Sequence, residues 1–230
     1  VYKRQFFLFP ATFYYLSPVL IVQAANSGII NGSFILFGLL FLFALFMGRG
    51  WCGWLCPAAG CQEALFKARN KKVRKGDWLK WLIWFPWVGS ITVLATKAGG
   101  YSTIDLFYKT TYGFSVADFP SILAYFIVLF ILIIFPAFIF GRRAFCHHLC
   151  WMAPFMIIGR KIAIAAKVKS LRLDAESDTC VKCHRCTEHC PMSLPVKNMV
   201  EFGNMEHTEC ILCGTCADIC PEKTISLVFS

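Results

Sequence analysis

Thirteen cysteines stand among the 230 residues, and eight of them fall in the last 51. Those eight form two runs, Cys180-x2-Cys183-x2-Cys186-x3-Cys190-Pro191 and Cys210-x2-Cys213-x2-Cys216-x3-Cys220-Pro221, offset by 30 residues at every cysteine. Three thiolates on one tight loop can occupy three corners of an iron–sulfur cube, and the fourth must arrive from elsewhere. Each proline ends its loop and redirects the chain. Thiolate sulfur suits iron, and charge spread over a cube makes one-electron transfer accessible. Two tetrahedral zinc ions would need the same eight ligands. The repeated x2-x2-x3-Pro pattern favours clusters.

The double run resembles the two-cluster bacterial ferredoxins. That resemblance implies crossed ligation, in which the fourth cysteine of each run serves the other cluster. Cys180, Cys183, Cys186 and Cys220 would then hold one [4Fe–4S] cluster, and Cys210, Cys213, Cys216 and Cys190 the second. So short a segment builds little apolar core, and the clusters help to hold it together. His184, His189 and His207 read as solvent-facing loop residues, of which at most one tunes a neighbouring cluster through a hydrogen bond.

The elements that must carry this chemistry are mostly apolar. The chain is 57% hydrophobic and holds 23 Phe, 7 Trp and 7 Tyr, with a mean hydropathy of +0.59. Four stretches, Phe6–Ala25, Ser33–Gly48, Trp78–Thr96 and Ser121–Phe140, read as membrane spans. Phe6–Ala25 carries Pro10 and Pro18 and reads as a retained first helix rather than a cleaved leader. Lys80, near the start of the third, would snorkel to the interface. Basic residues gather at Lys3 and Arg4, after the second span (Arg49, Lys67, Arg69, Lys71, Lys72, Arg74, Lys75) and after the fourth (Arg142, Arg143, Arg160, Lys161). The loops at 26–32 and 97–120 lack such an excess. By the positive-inside rule both termini are expected in the cytoplasm.

The formal charge of +10 is unevenly spread. Residues 1–172 are strongly basic and residues 173–230 acidic, so the charge marks a membrane rim and a docking tail rather than a nucleic-acid partner. The expected organisation is a four-helix transmembrane domain at 1–152, a basic interfacial linker helix at 153–173 and a two-cluster ferredoxin domain at 174–230. The fold class is therefore an α-helical polytopic membrane protein with a C-terminal α+β ferredoxin domain.

The other five cysteines fall where the second and fourth spans would reach the cytoplasm. Cys52, Cys56 and Cys61 lie in GRGWCGWLCPAAGC, and Cys146 and Cys150 in GRRAFCHHLCWMAP. The two Cys-x3-Cys pairs lie 94 residues apart, each after a glycine and arginine. In a helix that spacing puts both sulfurs on one face. The four are small buried hydrophobes, or they are ligands of a further [4Fe–4S] cluster with Cys61 as a substitute ligand, or they share two incompletely cysteine-ligated clusters. Arg49, Arg142 and Arg143 are either positive-inside anchors or offsets to the negative charge of thiolate-bound iron. His147 and His148 lack the second pair that a bis-histidine haem needs.

As a whole the sequence resembles the polytopic membrane ferredoxins related to the quinol-dehydrogenase subunit of periplasmic nitrate reduction. The membrane half of the nitrous-oxide-reductase maturation regulators is similar too. Cys52/Cys56/Pro57 matches the family's Cys-x3-Cys-Pro motif, whereas Cys150 is followed by Trp151, with proline delayed to Pro154. The resemblance implies an inner-membrane electron carrier between a quinone or quinol pool and a redox partner, with lipid and other redox subunits around it. Trp78, Trp81, Trp84, Trp87 and Tyr101 are either an interfacial belt or the lining of a quinone pocket. The chain could instead be a membrane anchor that wires a larger oxidoreductase complex without a quinone site, or a redox-sensing regulator of respiration. No nucleophilic triad, paired catalytic carboxylates, P-loop or dinucleotide fingerprint is present, so no catalytic residue is assigned.

Overall fold

The computed structural model describes residues 15–67, 70–73, 76–110 and 119–230. Helix α1 (Pro18–Asn26) begins where the Ser17 hydroxyl accepts from the Val19 amide, with Pro18 at the first position, where a missing N–H is harmless. Strand β1 (Ile29–Asn31) leads into α2 (Gly32–Met47), capped by the Asn31 side chain accepting from the Phe34 amide at 3.0 Å. Asn31 is buried, and its amide also donates to the Leu20 carbonyl at 3.2 Å, which ties the start of α2 to α1. Strand β1 pairs in parallel with β2 (Thr103–Asp105).

Between these lie two short helices, α3 (Gly50–Trp54) and α4 (Pro57–Ala64), and the longer α5 (Leu79–Lys97). Then follow α6 (Phe119–Phe140), α7 (Ala144–His148) and α8 (Ala153–Ala165). Helix α8 packs directly on α2: a Cβ at Gly159 would stand 2.9 Å from the Ala44 Cβ and 3.1 Å from the Phe41 carbonyl. In this way a helix from the 153–173 segment buries Met156, Ile157 and Ala163.

The tail contains β3 (Leu171–Ala175), α9 (Arg185–Glu188), α10 (Val196–Glu201), α11 (Thr215–Asp218) and β4 (Ile225–Phe229). Strands β3 and β4 pair antiparallel, Leu171 opposite Phe229 and Ala175 opposite Ile225, closing the two ends of the tail across the cysteine runs.

The expected four transmembrane helices are corrected by this structure. Among the described residues one helix, α5, is long and apolar enough to cross a bilayer, with 19 residues and a mean hydropathy of 1.3. Helix α2 has 16 residues, about 24 Å at 1.5 Å per residue against a ~30 Å hydrocarbon core. Gly48, at φ +52°, ends it, and Arg49 follows at once. Pro18 starts a nine-residue helix, Pro18–Asn26, at the end of the run 6–25. The first 14 residues lie outside the described ones, as do Arg69, Arg74, Lys75 and Asp118. In α6 the stretch Phe130–Phe140 is a shorter apolar helix. The multi-pass inner-membrane placement, with both termini and the ferredoxin domain cytoplasmic, falls with those spans. Lys80 does not snorkel either; it is fully buried.

Candidate iron-sulfur sites

The two tail runs fold alike. Left-handed backbone occurs at Lys182 and Leu212, at His184 and Gly214, and at Ser193 and Lys223, three pairs that share the 30-residue offset of the cysteines. Five of these six are not glycine, at a cost of roughly 1–2 kcal/mol each. Turns that alternate handedness in this way make concavities of backbone N–H groups suited to anions.

Cys180, Cys183, Cys186 and Cys220 line one small cavity, together with Val200, Thr224 and Ile225. Cys190, Cys210, Cys213 and Cys216 line a second, walled by Leu173, Met192, Leu194, Met205 and Ile211. Each cavity thus takes the first three cysteines of one run and the fourth of the other. Burial pushes the Cys210 thiol up to about 12. At Cys220 burial also raises the thiol pKa, but hydrogen bonds from the Thr224 side chain and nearby amides outweigh it and hold it below the ordinary value.

A third cavity is lined by Cys52, Cys56, Cys146 and Cys150 with Arg49, Phe145, Trp151 and Met152. Helices α3 and α7 bring the pairs together with one backbone design. The Leu55 and Cys56 amides both donate to the Trp51 carbonyl, at 3.0 and 2.9 Å. Those of Leu149 and Cys150 both donate to the Phe145 carbonyl at 2.9 Å. Trp151 in place of a proline leaves the loop unchanged. All four cysteines are buried, whereas Cys61 is half-buried on α4 and is not part of the wall. None of the thirteen is in a disulfide.

Polar side chains surround this third cavity. The Gln62 amide donates to the Cys146 sulfur at 3.3 Å while its carbonyl accepts the Phe145 amide at 3.1 Å. Arg143 is fully buried, pairs with Glu63 and donates to the Cys52 carbonyl at 3.1 Å. Arg49 donates to the Thr208 carbonyl at 2.8 Å and to Glu209 at 2.9 Å. Lys80 takes the other Glu209 oxygen. Burial raises the Glu209 pKa, but Arg49 and Lys80 outweigh it and hold the carboxyl below its usual range. Burial, reinforced by Cys146 and Cys52, pushes the Cys150 thiol up to about 12. Asp77, His147 and Glu209 converge near this network. His147 is hydrogen-bonded to Asp77 at 2.5 Å and both Glu209 oxygens are taken, so the trio is an ion-pair network rather than a metal site.

Four sulfurs around each cavity suit a [4Fe–4S] cluster, and the third cavity offers a further sign. The buried Arg49 Nε finds no hydrogen-bond partner among the described residues, although Arg49 lines that cavity. An anionic, sulfur-rich group beside it would satisfy the N–H and the charge together. Sequence reasoning passed over Gln62, Glu63, Gly53, Trp54 and Glu209. One signal was there to be read: Glu63 is the single carboxylate before Asp77 in a basic, apolar half of the chain.

Comparison with known proteins agrees in kind. The model of a 4Fe-4S binding domain matches residues 32–76 and 122–164, and that of a 4Fe-4S dicluster domain matches 179–225. The chain is 22% identical to YccM of Escherichia coli over 200 residues, covering 82% of this chain and 53% of that protein. It is 29% identical to the methylamine utilization ferredoxin-type protein MauN of Methylobacillus flagellatus over 167 residues, 70% of this chain and 53% of MauN. To the ferredoxin-type protein NapH of Haemophilus influenzae it is 25% identical over 195 residues, 80% of this chain and 64% of NapH. The chain spans about half the length of the first two. No solved structure matches it. The chain contains an iron–sulfur electron-transfer domain of the two-cluster bacterial ferredoxin kind, distantly related to these ferredoxin-type proteins.

Proposed function

We propose that the chain is a non-catalytic electron-transfer subunit that carries three [4Fe–4S] clusters and exchanges single electrons between a quinone or quinol pool and a redox partner in a membrane-associated complex. The observation that carries this reading is the grouping of twelve cysteines into three four-sulfur cavities of similar size. A bound [4Fe–4S] cluster supplies reversible one-electron exchange. Cys180, Cys183, Cys186 and Cys220 hold the outer one, Cys190, Cys210, Cys213 and Cys216 the middle one, and Cys52, Cys56, Cys146 and Cys150 the inner one. Arg49 and Arg143 offset thiolate charge, and Gln62 donates to the Cys146 sulfur. In this reading residues 1–152 carry the inner site, 153–173 the link and 174–230 the two-cluster domain.

Two features support the partners. Helices α2, α5 and α6 leave Phe46, Phe85 and Phe135 more than half exposed, an apolar surface suited to a hydrophobic subunit or to lipid. A wide, open apolar groove is lined by Phe37, Ile91, Tyr101 and Phe155. Trp84 is also on its wall, and its buried indole N–H has no partner among the described residues. A quinone offers both a ring and a carbonyl acceptor. The test is iron and acid-labile sulfide on the anaerobically purified chain: about twelve irons are expected, falling to about eight in Cys56→Ser/Cys150→Ser. About eight irons in the unsubstituted chain would remove the inner site from the reading.

A further inference from the structure

The cavities are not equally related to one another, and their arrangement carries an order. Gly53, between Cys52 and Trp54 on α3, faces the second cysteine loop of the tail at a distance only glycine allows. A Cβ there would stand 2.5 Å from the Ile211 carbonyl oxygen, 3.1 Å from the Cys213 Cα and 3.2 Å from its Cβ. Hydrogen bonds flank this contact on both sides. The Trp54 indole donates to the Leu212 carbonyl at 2.8 Å, and Arg49 donates to the Thr208 carbonyl at 2.8 Å and to Glu209 at 2.9 Å. Arg142 meanwhile reaches the Glu188 and Cys190 carbonyls, at 2.5 and 3.3 Å. Apart from the one to Glu188, at the end of α9, these bonds fall on segments next to or lining the Cys190, Cys210, Cys213 and Cys216 cavity. None of these bonds ends on the 180–186 loop.

We infer that the three sites form a single line, with the Cys190/Cys210/Cys213/Cys216 site in the middle, and that Gly53 and Trp54 are positioning residues for electron exchange between it and the Cys52/Cys56/Cys146/Cys150 site. The inference rests on the three-site reading above. Gly53 allows the backbone of the inner site to touch that of Cys213, and Trp54 locks the contact by a hydrogen bond. Close backbone packing bridged by a hydrogen bond conducts an electron better than an open gap. The electron lost at one site is the electron gained at the next, and no proton, bond change or further reactant is involved. The Cys180/Cys183/Cys186/Cys220 site, with Cys183 exposed, is then the terminus toward a redox partner that docks from solvent.

Electron paramagnetic resonance on the full, chemically reduced chain tests this, because neighbouring reduced clusters broaden and relax each other's signals. The inner signal should show such coupling, keep it when Cys183→Ser removes the outer site, and lose it when Cys213→Ser removes the middle one. Gly53→Val should weaken the coupling with the iron content unchanged. Trp54→Phe, which keeps the ring and removes the N–H contact, should weaken it in the same direction and stands in if Gly53→Val loses iron. Coupling that disappears with Cys183→Ser, or that both Gly53→Val and Trp54→Phe leave untouched, would overturn the order. About twelve irons with no coupling at all sinks this inference alone, whereas about eight sinks the three-site reading and this inference with it.

Discussion

The outer tail site and the inner site solve one problem, holding four thiolates around a cavity, by different means. At the outer site Cys180, Cys183 and Cys186 come from one tight loop, Cys183 is exposed and the other three are half-exposed. Left-handed turns at Lys182 and His184 shape that loop, so a short stretch of chain carries most of the geometry. At the inner site two helical loops supply two sulfurs each and all four are buried. No single segment can make it. Burial raises the Cys56, Cys146 and Cys150 thiols, so charge has to be brought in by Arg49 and Arg143, whose own burial requires Glu209 and Glu63. A site near water depends on backbone; a site in the interior depends on a balanced set of buried ions.

That contrast breaks most visibly at Arg143. Arg143→Ala leaves the Glu63 carboxylate buried without its partner, a loss of about 3–5 kcal/mol. Adding Glu63→Ala should restore part of it, and equilibrium unfolding of the two single variants and the double measures the coupling. A single variant as stable as the unsubstituted chain would show that the pair does not secure the inner site.

Gln62→Leu sharpens the contrast at lower amplitude. It removes one N–H donor to the Cys146 sulfur and the acceptor of the Phe145 amide; the donor, worth about 1 kcal/mol, sets a ceiling of about 40 mV on the one-electron shift. Loss of a donor disfavours the more negative, reduced state, so the inner midpoint potential falls while the tail signals stay in place. A redox titration followed by paramagnetic resonance reads both at once. The smallest effect belongs to Pro57→Ala. The Cys150 loop already makes the same pair of hydrogen bonds with Trp151 in the equivalent place, so this change should cost about 1 kcal/mol or less and leave the iron content as it was. Loss of iron in Pro57→Ala would mean that the proline shapes the site after all.

Much of this was legible. The 30-residue repeat announced two like loops, and the structure places left-handed residues at matching positions in both. The 94-residue spacing of the Cys-x3-Cys pairs announced a second repeat, and α3 and α7 share one hydrogen-bond pattern. The charge split between body and tail announced docking, which Arg49, Lys80 and Arg160 make through Glu209 and Glu206. The misreading came from the apolar runs. Composition shows how much apolar surface there is but not where a helix starts or stops: Gly48 ends one described helix after 16 residues, and Pro18 starts another of nine. Lys80 was misplaced for a related reason: a lone cation in an apolar helix points to solvent unless a carboxylate from elsewhere meets it, and Glu209 lies 129 residues away.

By itself the sequence determined the chemistry and the local loops, because thiolate identity, spacing and the turns between cysteines are properties of a few consecutive residues. Which cysteines share a cavity across 94 residues, which arginine meets which carboxylate, and that Gly53 touches Cys213 were decided only in three dimensions. Those contacts depend on packing between distant segments, and their strength comes from burial, which no short stretch of sequence can supply alone.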